Sequence, residues 1–237
     1  MAETIYTIPI NEVFEENMKE GADSCPFCTL AAKLESDELE LILGASMMEP
    51  DIRIKTNKQG FCSRHFTKML RISKRLPLAL MLESHLGELS AAVGKKGLMK
   101  PSPDKIAKML AELDGSCYIC SRVEANMKRL LSNAVYMWQT DELFRKKFAA
   151  QPYFCVGHAS ALLNTASSEL PKKIYSDFSE QLVSLVNGHL ASLCTDVSAF
   201  ARSFDYRYAD EKLDDKTKIS VERSIRFLAG DDTAKIN

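Results

Sequence analysis

Cysteine and histidine recur in this chain at a spacing typical of metal sites. Six of the seven cysteines and two of the four histidines belong to one pattern that occurs twice. The pattern is C-x2-C followed by F-C-x2-H, with 33 residues between the second and third cysteines in the first copy and 34 in the second. The first copy comprises Cys25, Cys28, Cys62 and His65, and the second comprises Cys117, Cys120, Cys155 and His158.

Each copy supplies three thiolates and one imidazole, which together form the ligand set of a Cys3His zinc site. Residues three apart share one face of a helix, so C-x2-C and C-x2-H at helix starts each offer two ligands to one ion. The partial positive charge of a helix N-terminus also favours the thiolate form of cysteine. We therefore expect two Zn²⁺ ions per chain, each bound by one C-x2-C and by the C-x2-H that follows it.

Other chemistries for the same cysteines stay open at the level of sequence. An iron–sulfur cluster is the main rival, although four cysteines are its commoner ligand set. A redox sensor based on thiolate oxidation is a further alternative, as is a metal- or thiol-dependent enzyme with an open metal position. The sequence contains no nucleophile elbow, phosphate loop, dinucleotide fingerprint or H-E-x-x-H motif. We therefore favour a binding or regulatory module with structural zinc over an enzyme.

Apolar periodicity along the chain predicts an all-α fold. The chain has only 10 glycines and 8 prolines, and few of its segments alternate with the period of a β-strand. We expect helices over residues 11–18, 26–45, 62–77, 77–93, 104–113, 119–137, 141–149, 155–165, 170–200 and 219–229. Residues 1–10 are predicted to be extended, because their β-favouring side chains run up to Pro9. The segment between Pro50 and Gly60 is predicted to be a connection.

The recurrence of the ligand pattern predicts a duplicated helical unit, each copy clamped by a Cys3His metal site. The two copies begin 92 residues apart. Residues 96–104 are rich in glycine, proline and lysine, and they are predicted to be the linker. We expect a first helical repeat with metal site 1 at residues 1–95. A second repeat, with metal site 2 and a C-terminal helix, is expected at residues 105–237.

Charge is distributed unevenly along a chain whose formal net charge is −1. Residues 52–82 contain no acid and eight bases: Arg53, Lys55, Lys58, Arg64, Lys68, Arg71, Lys74 and Arg75. The stretch 53–75 is a candidate surface for nucleic acid. Few aromatic residues interleave these bases, so we favour a solvated helix face that pairs with the acidic helix before it. A protein or small-molecule partner is the preferred expectation, with nucleic acid as the second.

The sequence shows no recognisable signal peptide or membrane span. Its N-terminus lacks a basic region followed by an apolar one. The most apolar short run, residues 76–82, is far below the roughly 20 residues that a membrane span needs. We expect a cytoplasmic protein without a membrane partner, in a compartment where thiols stay reduced.

The remaining candidate residues are assigned structural roles. His85 and His189 are expected to be core or surface histidines, because neither has a partner at ligand spacing. Cys194 is expected to be a small buried apolar residue. The stretch 200–208, which is rich in aromatic residues and arginine, is expected to tie the C-terminal segment to the body through salt bridges of Asp205.

Taken together, these motifs resemble those of an uncharacterised bacterial family. That family carries CPxC and FCxxH twice, an F-D-Y-R motif, and a C-terminal helix that ends in Leu-Ala-Gly. The corresponding residues here are 25–28, 62–65, 117–120, 155–158, 204–207 and 228–230. The resemblance covers nearly the whole chain. Because the family is a domain of unknown function, it implies the metal sites and a cytoplasmic setting without implying an activity.

Overall fold

The computed structural model of the protein describes residues 4–19, 23–94, 101–208 and 212–231. Regular structure within these residues is helical, and they contain no β-strand, so the all-α prediction is confirmed. The α-helices are α1 (Thr4–Glu16), α2 (Pro26–Ile42), α3 (Pro50–Gln59), α4 (Ser63–Arg71), α5 (Arg75–Val93), α6 (Pro103–Asp114), α7 (Tyr118–Thr140), α8 (Glu142–Ala149), α9 (Val156–Glu169), α10 (Lys172–Arg202), α11 (Asp215–Lys218) and α12 (Ser220–Ala229). No helix in the described part of the chain is both long enough and apolar enough to cross a membrane.

Helix α4 ends earlier than its sequence pattern predicts. It stops at Arg71, and Ser73 then adopts a left-handed backbone conformation with φ of 64°. This turn leads the chain into α5, where Pro77 lies in the first helical turn. Proline is tolerated there, because the N–H groups of the first turn have no partner within the helix. Pro77 therefore lies near the start of α5 and not at the end of α4.

The prediction that residues 1–10 are extended is wrong, because α1 covers most of them. Ile10, Phe14 and Asn17 are buried, and their spacing of four and three residues is that of one helix face. Burial of this face outweighs the β-preference of the side chains before Pro9. Strand preference is set mainly by packing context, so it is a weak guide where a helix can bury the same side chains.

Helix α3 was not predicted from the sequence, which indicated a connection between Pro50 and Gly60. Pro50 instead begins the helix, and Gly60 ends it with φ of 58°, a conformation that glycine adopts readily. Thr56 is the one buried residue of α3. A helix that buries so little has no apolar periodicity for a sequence pattern to reveal.

The chain divides into two compact units, each built around its own core. We call residues 33–126 the insert unit, and residues 1–32 together with 127–237 the terminal unit. The division falls within helices α2 and α7, whereas the sequence predicted a boundary at 96–104. Residues 96–100 of that predicted linker lie outside the described part of the chain.

The core of the terminal unit is a cluster of buried phenylalanines. The five rings have no exposed surface and come from α1, α2, α8 and the segment before α9; they belong to Phe14, Phe27, Phe144, Phe148 and Phe154. The ring centroid of Phe14 lies 5.0 Å from that of Phe144 and 5.8 Å from that of Phe27. Phe148 and Phe154 stack with their centroids 4.7 Å apart. This cluster lies against the segments that carry Cys25 and Cys155.

The core of the insert unit brings together aliphatic and sulfur-containing side chains. Its buried members are Leu39, Ile42, Leu43, Met69, Leu78, Met81, Cys117, Tyr118 and Ile119. They come from the second half of α2, from α4 and α5, and from the start of α7. Helix α3 packs on α5. Cys62 and Cys120 lie at the edge of this cluster, so the ligand residues of the insert unit are part of its core packing.

Helix α12, and not the stretch 200–208, ties the C-terminal segment to the terminal unit. Arg223 is buried and forms salt bridges with Asp23 at 3.1 Å and with Asp196 at 2.6 Å. Phe204 is 78% exposed and Tyr206 is 87% exposed, and the ring of Phe204 contacts that of Phe200 in the same stretch, with centroids 5.2 Å apart. The salt bridge of Asp205 joins it to Arg207, only two residues away. The expected role of residues 200–208 as a tie is therefore wrong.

Replacing Phe14 by alanine is expected to destabilise the terminal unit by about 3–5 kcal/mol, because the change leaves a cavity among four other rings. The matched variant Phe204→Ala removes an exposed ring and should change stability by less than about 0.5 kcal/mol. Trp138 is the single tryptophan and lies in the terminal unit, so denaturant unfolding followed by its fluorescence reports on this unit. Similar losses in the two variants would contradict the proposed core.

Candidate metal centres

All four predicted ligand motifs lie at the start of a helix. Cys25 directly precedes α2, Cys62 directly precedes α4, Cys117 directly precedes α7, and Cys155 directly precedes α9. Cys62 and Cys155 occupy N-cap positions with extended backbone, with ψ of 163° and 159°. The second ligand of each motif follows three residues later in the first helical turn, which brings both ligand atoms to one side of the helix end. The partial positive charge there stabilises thiolates.

One group of four ligand residues lies in the terminal unit: Cys25, Cys28, Cys155 and His158. Nδ1 of His158 is 3.6 Å from Sγ of Cys25, 3.4 Å from Sγ of Cys28 and 3.2 Å from Sγ of Cys155. The sulfur atoms of Cys28 and Cys155 are 3.6 Å apart. All three cysteines are buried. We call this group the terminal centre.

The second group lies in the insert unit and comprises Cys62, His65, Cys117 and Cys120. Nδ1 of His65 is 3.2 Å from the sulfur atoms of both Cys62 and Cys117, and 3.5 Å from that of Cys120. The sulfur atoms of Cys62 and Cys120 are 3.9 Å apart. His65 and Cys117 are buried, whereas Cys62 and Cys120 are partly exposed. We call this group the insert centre.

The predicted pairing of the motifs is wrong, although all eight predicted residues do belong to the two groups that could hold a metal ion. Each C-x2-C was expected to join the C-x2-H that follows it, but each joins the C-x2-H of the other copy. Helix α2 explains part of this exchange. Its 17 residues span about 25 Å, and they lead the chain from the cysteines at its start into the core of the insert unit. His65 therefore lies in a different unit from Cys25.

The distances within both groups fit a tetrahedral metal ion. Zinc bonds of about 2.3 Å to sulfur and about 2.0 Å to nitrogen place neighbouring ligand atoms about 3.5–3.8 Å apart. Eight of the twelve pairs of ligand atoms are 3.2 to 3.9 Å apart, and all four ligand atoms of each group lie within 4.8 Å of one another. These cysteines are free thiols. The residues of both groups therefore fit a metal ion of the size of zinc that prefers sulfur and nitrogen ligands.

The protonation of the insert centre follows from the contact between His65 and the thiols. Burial opposes ionisation of Cys117, but its hydrogen bond with His65 lowers the thiol pKa to about 6. Burial likewise disfavours the charged form of His65, yet its contacts with Cys117 and Glu35 raise the imidazole pKa to about 9. Burial and the neighbouring sulfur atoms raise the pKa of Cys120 to about 12. The contact between the two side chains therefore favours the thiolate form of Cys117 and the protonated form of His65.

In the terminal centre, too, the pKa of one thiol is lowered and that of a second thiol is raised. Hydrogen bonds from Cys25 and Cys28 hold the pKa of Cys155 far below its usual value. Burial raises the pKa of Cys25 well above that value. Burial opposes protonation of His158, but contact with Cys155 raises its pKa to about 9. A metal ion bound by all four groups would displace the protons that they hold, so its binding is coupled to pH.

Glu35 contacts the insert centre from α2, and the sequence analysis did not identify it. Its Oε1 atom lies 2.7 Å from Nε2 of His65 and 3.0 Å from the guanidinium of Arg64, and its other oxygen accepts a hydrogen bond from Lys68. Burial opposes its ionisation, but the hydrogen bonds from His65 and Lys68 lower its pKa to about 2. No sequence signal distinguished Glu35 from its acidic neighbours on α2, because its partners lie about 30 residues away.

A backbone turn after α12 contacts the terminal centre. The N–H of Asp231 donates a hydrogen bond to Sγ of Cys28 at 3.3 Å. Gly230 has φ of 82°, and this left-handed conformation directs the chain past that sulfur atom. A side chain at position 230 would place its Cβ atom 3.7 Å from Cys28 Sγ. The sequence motifs indicated this glycine only as the end of the C-terminal helix, whereas the structure also places it beside a ligand candidate.

The other cysteine and the other histidines lie outside both groups. Cys194 is exposed, so the prediction that it is buried is wrong. Nδ1–H of His85 donates a hydrogen bond to the carbonyl oxygen of Asn57, at 2.8 Å. His189 stacks on Tyr153 with ring centroids 4.1 Å apart. These contacts are the structural roles that were expected for the two histidines.

Part of the basic stretch 53–75 is engaged within the insert unit. Arg64 and Lys68 pair with Glu35 of the preceding acidic helix, as the pairing prediction implied. Arg53 donates a hydrogen bond to the carbonyl of Leu80. The bases that remain exposed include Arg71, Lys74 and Arg75. Nucleic-acid binding by this stretch stays a prediction.

Replacing Gly230 by alanine is expected to weaken metal retention at the terminal centre. A side chain in the left-handed conformation costs about 1–2 kcal/mol, so the turn that carries the Asp231 N–H should shift away from Cys28. Release of metal to a chelating dye should become several-fold faster. The control is Gly188→Ala in α10, where a Cβ atom meets nothing within 4 Å. Equal release rates in the two variants would contradict this role of the turn.

Comparison with known proteins places the chain in a family without assigning it an activity. No curated protein and no solved structure is significantly similar to it. The model of a family of unknown function, DUF6062, matches residues 1–235 of the 237. The resemblance inferred from the sequence motifs is thereby confirmed, and the chain belongs to this family of unknown function.

Proposed function

We propose that the protein binds two structural zinc ions, one at the terminal centre and one at the insert centre, and that it acts as a binding or regulatory module. The convergence of three sulfur atoms and one imidazole nitrogen in each unit carries this proposal. Catalytic zinc keeps three protein ligands and an open position, whereas structural zinc is enclosed by four. Four converging ligands per group support the structural role.

The choice of zinc over an iron–sulfur cluster rests on the distances between the ligand atoms. One ion joins ligand atoms that lie about 3.5–3.8 Å apart. A cluster places several iron and sulfide atoms between its ligands and so requires them to lie farther from one another. The 3.6 Å separation of Cys28 and Cys155 leaves room for one ion between them. Zinc is also the metal that most often occupies sites with three sulfurs and one nitrogen.

Each ion would join helix starts that are distant in sequence. The terminal centre links Cys28 at α2 to Cys155 at α9, which are 127 residues apart. The insert centre links His65 at α4 to Cys117 at α7, which are 52 residues apart. Closing such loops restricts the unfolded chain, and binding of the ion becomes part of the folding free energy. On this proposal the ions hold the fold together, and recognition of a protein or small-molecule partner falls to the surface.

Protein purified without added metal is expected to contain two zinc ions per chain. Elemental analysis by mass spectrometry measures this ratio directly. Cys194→Ser should leave the ratio unchanged, because Cys194 lies outside both groups. Iron in place of zinc, with a visible absorption band, would contradict the choice of metal. A folded protein without bound metal would contradict the proposed function as a whole.

Double variants should reveal which motifs share an ion. Cys25→Ser with Cys155→Ser removes two ligands of the terminal centre, so one ion should resist removal by a chelator. Cys25→Ser with Cys62→Ser removes one ligand from each centre, so neither ion should resist it. Metal content after chelator treatment distinguishes the two cases, and circular dichroism confirms that each variant remains helical. The reverse result would indicate that each C-x2-C pairs with the C-x2-H that follows it.

A further inference from the structure

We propose that Glu35 is a positioning residue of the insert centre: its carboxylate accepts a hydrogen bond from Nε2–H of His65 and so directs Nδ1 of that ring toward the metal ion. The inference rests on the proposed function and deepens it. It concerns a residue outside the Cys3His groups.

The imidazole ring of His65 is oriented with one nitrogen toward the sulfur atoms and the other toward Glu35. Nδ1 faces the sulfur atoms of Cys62, Cys117 and Cys120 at 3.2–3.5 Å, while Nε2 faces Oε1 of Glu35 at 2.7 Å. A neutral imidazole has one N–H and one lone pair. When Nε2 donates to the carboxylate, the lone pair lies on Nδ1, where the three sulfur atoms converge. Outer carboxylates fix the tautomer and ring orientation of metal-binding histidines in this way.

The position of Glu35 is itself determined by two cations from the helix that carries His65. Arg64 contacts Oε1 at 3.0 Å, and Lys68 contacts Oε2. These two residues flank His65 on α4, one residue before it and three residues after it. The Glu35 side chain is only 12% exposed. Both oxygens are engaged, and the two cations offset the cost of burying the carboxylate against the imidazole.

The neighbouring residue Glu38 offers a matched control. It lies one turn further along α2, in the same unit, and its carboxylate is also nearly buried, with 9% of the side chain exposed. Its partner is Arg122, with Nε 2.9 Å from Oε1. Neither residue of this pair is a ligand candidate. Removal of Glu38 therefore breaks an ion pair of the insert unit without touching a ligand.

The experiment compares zinc affinity in the full chain for Glu35→Ala, Glu35→Gln and Glu38→Ala, measured by competition with a chelator of known affinity. In Glu35→Ala, one of the two ions should bind about 10- to 100-fold more weakly, the range typical for loss of an outer carboxylate partner. The other ion should be unchanged. In Glu35→Gln, the amide oxygen can still accept from Nε2–H, so affinity should recover in part. Glu38→Ala should leave both affinities unchanged, even where it lowers the melting temperature.

Two results would overturn the inference while leaving the proposed function intact. One is a wild-type protein with two zinc ions and a Glu35→Ala variant whose two affinities differ from it by less than about twofold. The other is an equal loss of affinity in Glu35→Ala and Glu38→Ala, which would indicate a general effect of destabilising the insert unit. Absence of zinc from the wild-type protein would overturn both the inference and the proposed function.

Discussion

In each unit of the protein, three sulfur atoms and one imidazole nitrogen lie within 4.8 Å of one another, and bringing these groups together has an electrostatic cost. Buried thiolates repel one another and lose their hydration, so such a group is favourable only where protons, helix N-termini or a cation balance its charge. The four motifs lie at helix starts, where the partial positive charge of the backbone reduces this cost. The phenylalanine cluster of the terminal unit and the aliphatic core of the insert unit hold those starts in place. The packing of each core therefore positions the ligand residues of the centre in the same unit.

The pairing of motifs follows from the path of the chain through two helices. Helices α2 and α7 each begin with a C-x2-C motif, and each runs from one unit into the other. The C-x2-H motifs lie at α4, within the insert unit, and at α9, within the terminal unit. Each centre therefore joins one helix that passes between the units to one helix that stays within a single unit. An ion at either centre would restrain a segment whose two ends belong to different cores.

The two centres have similar ligands but different surroundings. The insert centre has a carboxylate against its histidine, and two cations of α4 hold that carboxylate. The terminal centre has a backbone N–H against one of its sulfur atoms, supplied by a turn that the left-handed conformation of Gly230 makes possible. One of these contacts acts on the imidazole of a ligand residue and the other on the sulfur atom of one. Binding of a metal ion at the terminal centre would thereby be linked to the docking of α12, which Arg223 secures through Asp23 and Asp196.

The sequence by itself determined the helical class, most helix positions and all eight ligand candidates, because residue type, helical periodicity and a spacing of three are local properties. It did not reveal α3, whose polar surface has no periodicity, or the first half of α1, where burial of Ile10 outweighs local strand preference. Only the tertiary structure decided which C-x2-C meets which C-x2-H. That choice joins residues 52 and 127 positions apart, and spacing along the chain carries no information about contacts at that range. Glu35 and Gly230 gained their roles in the same way, through the packing of α2 against α4 and of the turn after α12 against Cys28.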